Sequence, residues 1–465
     1  MSSSKPSCLP LNFKILKLLV SKVFQHFVRQ SATVKSSHPI GDPKMPDVVI
    51  EWNNVYLDAI RKVGGAPTPI ARAGAMMHAA MYDAINSIAQ THQPYLISLP
   101  TPIETAAKAA AAYAAHRVLR TIYPSLKPLF DQALTASLTT IQLEASPSAI
   151  ENGRILGEAV ANVVIANRIN DQSDNQDRYV PGTNPGDWQP TGSGEAVTPY
   201  WSRVRPFTMN RGSQFRPIRP GGFATRAELL QSPEYAAQLN EVKRLGSKHS
   251  TERTAEQTEI AYFWANDLNN TYKPPGHLYR LTQIVSDLKL LSLTENARLF
   301  ALVALALADA GIIAWDAKYS TEIDLWRPET AIREADRDGN PATDPDPQWE
   351  PLSNDPTPLM MGEPARHFSP AFPAYVSGHA TFGAAHAGIM RNFFDTDEIT
   401  FELDTEDPNA KGVTRTFNSF SAAALENGRS RVYLGVHYQW DADSAYLSGT
   451  RLADYVFTNF LTPVC

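Results

Sequence analysis

Lys318, Arg327, Ser377, Gly378, His379, Arg431, His437 and Asp441 are the residues whose types and spacing could do chemistry together. Two guanidinium forks and one ammonium suit an oxyanion that carries several negative charges, because each fork binds two oxygens and Lys adds a point charge. Three cations buried without partners would be very costly, so if they converge they converge on an anion. Ser377-Gly378-His379 stands at the head of a small, apolar run over residues 380–390. Ser377 reads as the N-cap of a buried helix, whose free N–H groups and positive dipole end favour an anion. Gly378 lets that anion approach the backbone, and His379 stands beside it as a proton donor or acceptor. His437 lies six residues after Arg431, beyond a glycine-bearing turn, and Asp441 follows His437 by four, on one face if the segment is helical. A carboxylate bonded to one ring nitrogen orients the imidazole and raises its basicity. The other nitrogen can then attack phosphorus or bind a metal oxyanion at an apical position, with His379 as acid and base on the opposite side. Singly, each residue reads as a surface charge, a structural pair or a capped helix; the ordered set is far more specific.

The elements that must position these groups are helical. Apolar residues recur at helix spacing from Val48, and Gly64-Gly65 with Pro67 ends that element. Helices are expected at 69–88, 105–122, 126–141 and 147–168, then at 233–245, 254–266 and 277–290. A long one from Thr294 to Lys318 is almost wholly apolar from Leu299 to Trp315 and should be surrounded by others, with Arg298 and Asp309 arguing against a membrane span. Further helices are expected at 380–394, 417–431 and 438–460. His78 and Asp83 read as interior polar residues with local partners; His277, His367 and His386 are given no functional role. Residues 170–223, dense in Pro, Gly, Asp and Asn with scattered aromatics, read as a long insert that wraps over a cleft mouth. Residues 333–368 and 395–416 read as acidic connections without the ligand order of a calcium loop.

With 465 residues the chain can bury a large core, and 43% hydrophobic against 19% charged residues fits a globular protein. A net charge of −6 argues against a nucleic-acid partner. Two cysteines, Cys8 and Cys465, exclude a disulfide framework or a Cys-rich metal site. Residues 11–28 are apolar but broken by Lys14, Lys17, Lys22 and His26, too interrupted to span a membrane and a poor signal peptide. The expectation is a soluble protein, leaning to the cytoplasm, without a transmembrane segment and compatible with a homo-oligomer. Its expected divisions are an N-terminal extension (1–46), a helical bundle with the aromatic insert (47–230) and a C-terminal bundle carrying the site (231–465).

Three blocks, Lys318 with Trp326-Arg327-Pro328, Val376-Ser377-Gly378-His379, and Ser430-Arg431 with His437 and Asp441, resemble the vanadium-dependent haloperoxidase and type 2 phosphatidic acid phosphatase superfamily. The likeness is strongest over residues 314–445, and residues 372–383 are most similar to the chloroperoxidase form. The resemblance implies an all-α fold of two four-helix bundles with long irregular inserts and the site in the C-terminal bundle. It implies vanadate as cofactor, with His437 as its apical ligand, His379 as the acid–base residue, and Lys318, Arg327, Ser377, Gly378 and Arg431 holding its oxygens. It further implies that Lys318 polarises peroxide, and that hydrogen peroxide, a halide and a small organic acceptor are the reaction partners, with hypohalous acid as the halogenating agent. Phe372 and Trp315 would stand on the halide side, a pairing that favours chloride.

Two departures carry expectations. Val376 replaces the usual proline, which changes only local backbone stiffness. Lys318 precedes Arg327 by nine residues where the family pattern has about seven, and two extra residues on a regular helix would turn the side chain by about 200°. The insertion Ser320-Thr321-Glu322-Ile323-Asp324 must therefore be a bulge or loop, or Lys318 does not reach the site. Two other readings of the same residues are a soluble acid phosphatase with a phosphohistidine at His437, and a non-enzymatic anion-binding protein.

Overall fold

The computed structural model describes residues 47–191, 195–355 and 366–464. The expectations for the N-terminal extension, Cys8 and Cys465 lie outside the described residues. Helix starts follow side-chain chemistry. Asp47 accepts from Val49 N ahead of α1 (Val48–Val63), and Ser146 accepts from Ala149 N ahead of α5 (Pro147–Asn167). Pro67 does not end a helix but opens α2 (Pro67–Ala89), since a residue without an N–H fits the first turn at no loss. Next come α3 (Ala107–Ile122) and α4 (Lys127–Ile141). After the insert, α6 (Arg226–Leu230), α7 (Pro233–Leu245), α8 (Ala255–Phe263) and α9 (Lys273–Lys289) follow. α9 begins four residues earlier than expected, because Pro274 and Pro275 occupy its first turn. A capping box between Ser292 and Glu295 starts α10 (Leu293–Tyr319).

α10 is the axis of the molecule. It packs against α2 on one flank, and on the other against α12 (Gly378–Phe394) and α14 (Gln439–Asn459). α2, α3 and α5 complete one helical group with it; α12, α13 (Phe420–Tyr433) and α14 complete the other. The expected all-α architecture of two bundles holds, and the two share this helix. The main apolar core draws on residues from Val48 to Leu461, and a smaller cluster gathers Ala261, Leu352, Leu434 and Val436 beside it. By length and composition α10 could cross a membrane, but 94% of its most apolar window is buried inside the protein; no other described helix passes that test.

The insert packs down as expected. Its backbone N–H groups at Phe207, Thr208 and Met209, with the Thr208 hydroxyl, donate to the buried Asp309 carboxylate of α10. These donors meet the requirement of a buried charge and tie the insert of residues 170–223 to the central helix. Residues 395–416, read as a bare connection, instead include most of a hairpin, β3 (Phe401–Asp404) paired with β4 (Thr414–Phe417). Phe401 and Leu403 point inward and Glu402 outward, a period-two pattern too short to stand out in the sequence. Phe417 belongs to β4, so α13 starts at Phe420. A second short pair, β1 (Asn354–Asp355) with β2 (Arg366–His367), lies in the other acidic connection. Asp83 has its local partners in the N–H groups of Tyr95, Leu96 and Ile97. His78 does not: between the rings of Tyr279 and Phe300, neither of its nitrogens has a hydrogen-bond partner among the described residues.

Candidate active site

Lys318 sits in the last turn of α10, and Arg327 is the residue immediately before α11 (Pro328–Arg333). The helix stops at Tyr319, so residues 320–324 form the loop the longer spacing requires. Lys318 therefore keeps its direction and reaches inward. Its Nζ donates to Pro373 O at 2.6 Å and Ala374 O at 3.0 Å and lies 5.0 Å from the Phe372 ring centre. Arg327 meets the same segment: Nε donates to Phe372 O at 2.7 Å, with the guanidinium 4.8 Å from the same ring centre. Trp315, one turn before Lys318, places its ring 4.9 Å from that of Phe372. The two aromatics expected together are together, and both cations border them.

Arg431 arrives from the end of α13. The chain then turns at Gly435, whose φ of +82° and close approach to Gly246 O leave no room for a Cβ. Val436 N donates to Arg431 O, and Val436 O accepts from Arg327 Nη1 at 2.7 Å. This fold-back presents His437 to Arg327, with Nη1 3.0 Å from His437 Nε2. On the other edge of the ring, Nδ1 stands 2.7 Å from Asp441 Oδ2, in the first turn of α14. The expected His–Asp pair is present, and it places the proton on Nδ1 and the lone pair on Nε2.

Ser377 caps α12 as expected, accepting from Ala380 N at 3.3 Å, and its own N–H donates to Asp441 O. Gly378 is the first helical residue. A Cβ there would meet Trp315 at an ordinary 3.5 Å, so packing does not demand glycine at this position. His379 Nε2 donates to Ala265 O at 3.0 Å and lies 3.8 Å from Asp267 Oδ1. Asp267 was not singled out in the sequence, where it is one acid in a polar run. It pairs with Arg431 Nη2 at 2.8 Å. Glu329 was also missed; its buried carboxylate takes Ser369 Oγ at 2.5 Å, Arg333 Nη1 at 2.9 Å and His367 Nε2 at 3.0 Å. Its one sequence signal is an acid in the first turn of α11, directly after Arg327-Pro328. His367, given no role, thus braces the segment that carries Phe372.

All eight residues of the set are buried. Burial first, then the charges of Arg327, Lys318 and Arg431, hold the His437 imidazole far below its ordinary value, so it is neutral. Burial and Arg431 lower His379 to about 4, against the opposing pull of Asp267. Burial brings Arg327 down to about 9 and, with Arg327 beside it, depresses the Lys318 ammonium strongly. Burial pushes Asp441 up to about 7, opposed first by Lys318. Burial also pushes Asp267 up, but Arg431 and His379 outweigh it and hold that carboxyl below its ordinary value. Arg327 Nη2 and Arg431 Nε and Nη1 have no partner among the described residues. Buried guanidinium donors without acceptors are expensive, and a small multiply charged oxyanion satisfies them while reversing each unfavourable shift. The residues present therefore fit vanadate or phosphate.

An all-α fold organised around such a cup is the architecture of the vanadium haloperoxidases. Residues 298–464 match the family model described as the VCPO second helical-bundle domain. A vanadium chloroperoxidase of Curvularia inaequalis is 28% identical over 503 residues, taking in 85% of this chain and 79% of that protein. The first bacterial vanadium-dependent iodoperoxidase to be solved superposes with a TM-score of 0.75 at 23% identity, covering 92% of this chain and 99% of its own. A bacterial vanadium-dependent chloroperoxidase in its holo form gives a TM-score of 0.67 at 18% identity, over 88% of this chain and 96% of its own. The chain is thus a relative of the vanadium haloperoxidases, as the three sequence blocks suggested.

Proposed function

We propose that this protein is a vanadium-dependent haloperoxidase. It converts halide, hydrogen peroxide and one proton into hypohalous acid and water, and the hypohalous acid halogenates a small organic acceptor. The observation that carries this reading is the pair of fully buried arginines, Arg327 and Arg431, with unpartnered donor atoms beside a neutral His437 whose Nε2 carries a lone pair. When bound, vanadate supplies a Lewis-acidic centre that activates peroxide for two-electron oxidation of halide. His437 Nε2 would be its protein ligand, held in direction and tautomer by Asp441. Arg327, Arg431, Lys318, the Ser377 hydroxyl and the Gly378 amide would hold its oxygens. Lys318, kept in place by two carbonyls, would use its remaining proton to polarise peroxide at the site. His379, neutral and backed by Ala265 O, would take the proton from peroxide and return it to the oxygen that leaves as water. Phe372 and Trp315 give the halide an apolar edge that strips its water. All of these residues lie within 231–465, which we assign as the catalytic part of the chain.

The test is halide oxidation by peroxide, with iodide, bromide and chloride in separate arms, with and without added vanadate, beside phosphatase turnover on the vanadate-free protein. Vanadate-dependent oxidation of at least one halide is the expected result. Rapid phosphate release with no vanadate-dependent oxidation would transfer the site to a phosphatase, and binding of either anion without turnover would leave an anion-binding protein.

A further inference from the structure

Outside the anion cup, a cleft of about 810 Å³ opens in the surface formed by the long insert. That volume lies in the range of clefts that hold small organic molecules. Its walls carry Pro181, Pro190 and Pro199 with the rings of Tyr179 and Tyr200. Flat apolar faces of this kind suit an aromatic ring, which stacks on tyrosine and lies against proline C–H groups. The formal charges of the lining residues, Asp177, Arg178 and Glu195, sum to −1, which disfavours an anionic guest.

Two connections join the cleft to the halide side of the cup. Ala196 and Thr198 line it, while Val197 between them accepts from Trp315 Nε1 at 3.1 Å and donates to Ala371 O at 2.9 Å, next to Phe372. Tyr179 packs edge-on at 4.9 Å against Tyr319, the residue after Lys318. Val197 thus links the wall of the cleft to the Trp315 and Phe372 side of the cup.

We propose that this cleft seats the organic acceptor, and that the acceptor is a neutral, electron-rich aromatic such as a phenol. The acceptor role rests on the haloperoxidase reading. Hypohalous acid leaving the Phe372 side meets the seated ring; a carbon–halogen bond forms as the oxygen–halogen bond breaks and its electron pair leaves with hydroxide, then the carbon–hydrogen bond breaks and the released proton joins that hydroxide as water.

The experiment has two parts. In the first, phenol binding to the protein without peroxide or halide is read by saturation-transfer NMR, for the parent and for Ser173→Trp, which sets an indole in the cleft where the ring would lie. In the second, phenol competes with an equally reactive cyclic 1,3-diketone for halogenation by the vanadate-loaded enzyme and by reagent hypohalous acid. The expected outcome is phenol saturation lost in Ser173→Trp, and an enzymatic product ratio shifted toward halophenol by about threefold to tenfold. Tyr200→Ala and Ser173→Trp should both restore the reagent ratio while oxidising iodide to triiodide at the parent rate. A parent that halogenates with the reagent ratio, or phenol saturation that persists in Ser173→Trp, overturns the proposal. Cleft-dependent phenol binding in a protein that oxidises no halide leaves the aromatic site standing and removes the haloperoxidase reading instead.

Discussion

Arg327 Nη1 lies 3.0 Å from His437 Nε2, the one ring nitrogen that Asp441 leaves free. A guanidinium and a ligand nitrogen held this closely share whatever anion enters, and burial, seconded by the same guanidinium, keeps the imidazole neutral when none is there. The role proposed for His437 predicts that His437→Ala abolishes vanadate-dependent oxidation and vanadate binding by equilibrium dialysis. Asp441→Asn keeps the ring but loses the carboxylate that orients it, and should weaken vanadate affinity by about 10- to 100-fold. Parent-level affinity in His437→Ala would remove that residue from the apical position.

Asp267 stands between Arg431 and His379, at 2.8 and 3.8 Å, and its charge opposes the forces that lower the histidine to about 4. Asp267→Asn should therefore drop the His379 pKa further, and the acid limb of the activity profile should move to lower pH. Arg431 would also lose its partner while remaining buried, destabilising the vanadate-free protein by about 3 kcal/mol. Added vanadate should then raise the melting temperature more in the variant than in the parent. A histidine NMR titration that leaves His379 unmoved would refute the electrostatic account.

The sequence carried the local half of this site. Ser377 as a cap, Asp441 one turn after His437, and the break after Lys318 are short-range features, and they stand where their spacing put them. The partners that complete the cup come from far along the chain. Asp267 reaches Arg431 across 164 residues, and Val197 reaches Trp315 across 118. Neither contact leaves a periodicity or a motif, since what pairs them is tertiary packing, of α8 against α13 in the first case and of the insert against α10 in the second. The hairpin of β3 and β4 was missed for the opposite reason, four residues per strand being too few to distinguish alternation from a polar loop.

Glu329 is the brace behind the halide side. Its buried carboxylate holds His367 and Ser369, three to five residues before Phe372, while Arg327 holds Phe372 O from the front. Glu329→Gln turns one acceptor into a donor that faces donors, at about 1–3 kcal/mol of stability. If the brace sets the Phe372 edge, the halide KM should rise while vanadate affinity by dialysis stays within about twofold, because no vanadate-facing group moves. Equal losses in halide KM and vanadate affinity would mean that the whole cup has loosened.

His78 gives a prediction away from any chemistry. Its two nitrogens lack partners among the described residues, the rings of Tyr279 and Phe300 lie 5.4 and 5.1 Å away, and burial lowers its pKa from 6.5 to about 3. His78→Phe removes an unsatisfied polar group of about 1–3 kcal/mol and keeps an aromatic ring between Tyr279 and Phe300, so the variant should be more stable at pH 7. The pH dependence fixes the cause. Between pH 6.5 and 3 the unfolded parent binds a proton at this histidine and the folded parent does not, so its contribution to stability falls as pH falls. The variant has no such proton, and its advantage over the parent should grow by about 2 kcal/mol from pH 7 to pH 5. Urea unfolding of both proteins at the two pH values measures the difference. A gap that stays constant with pH would mean that His78 is protonated in the folded state, or finds a water that bonds it.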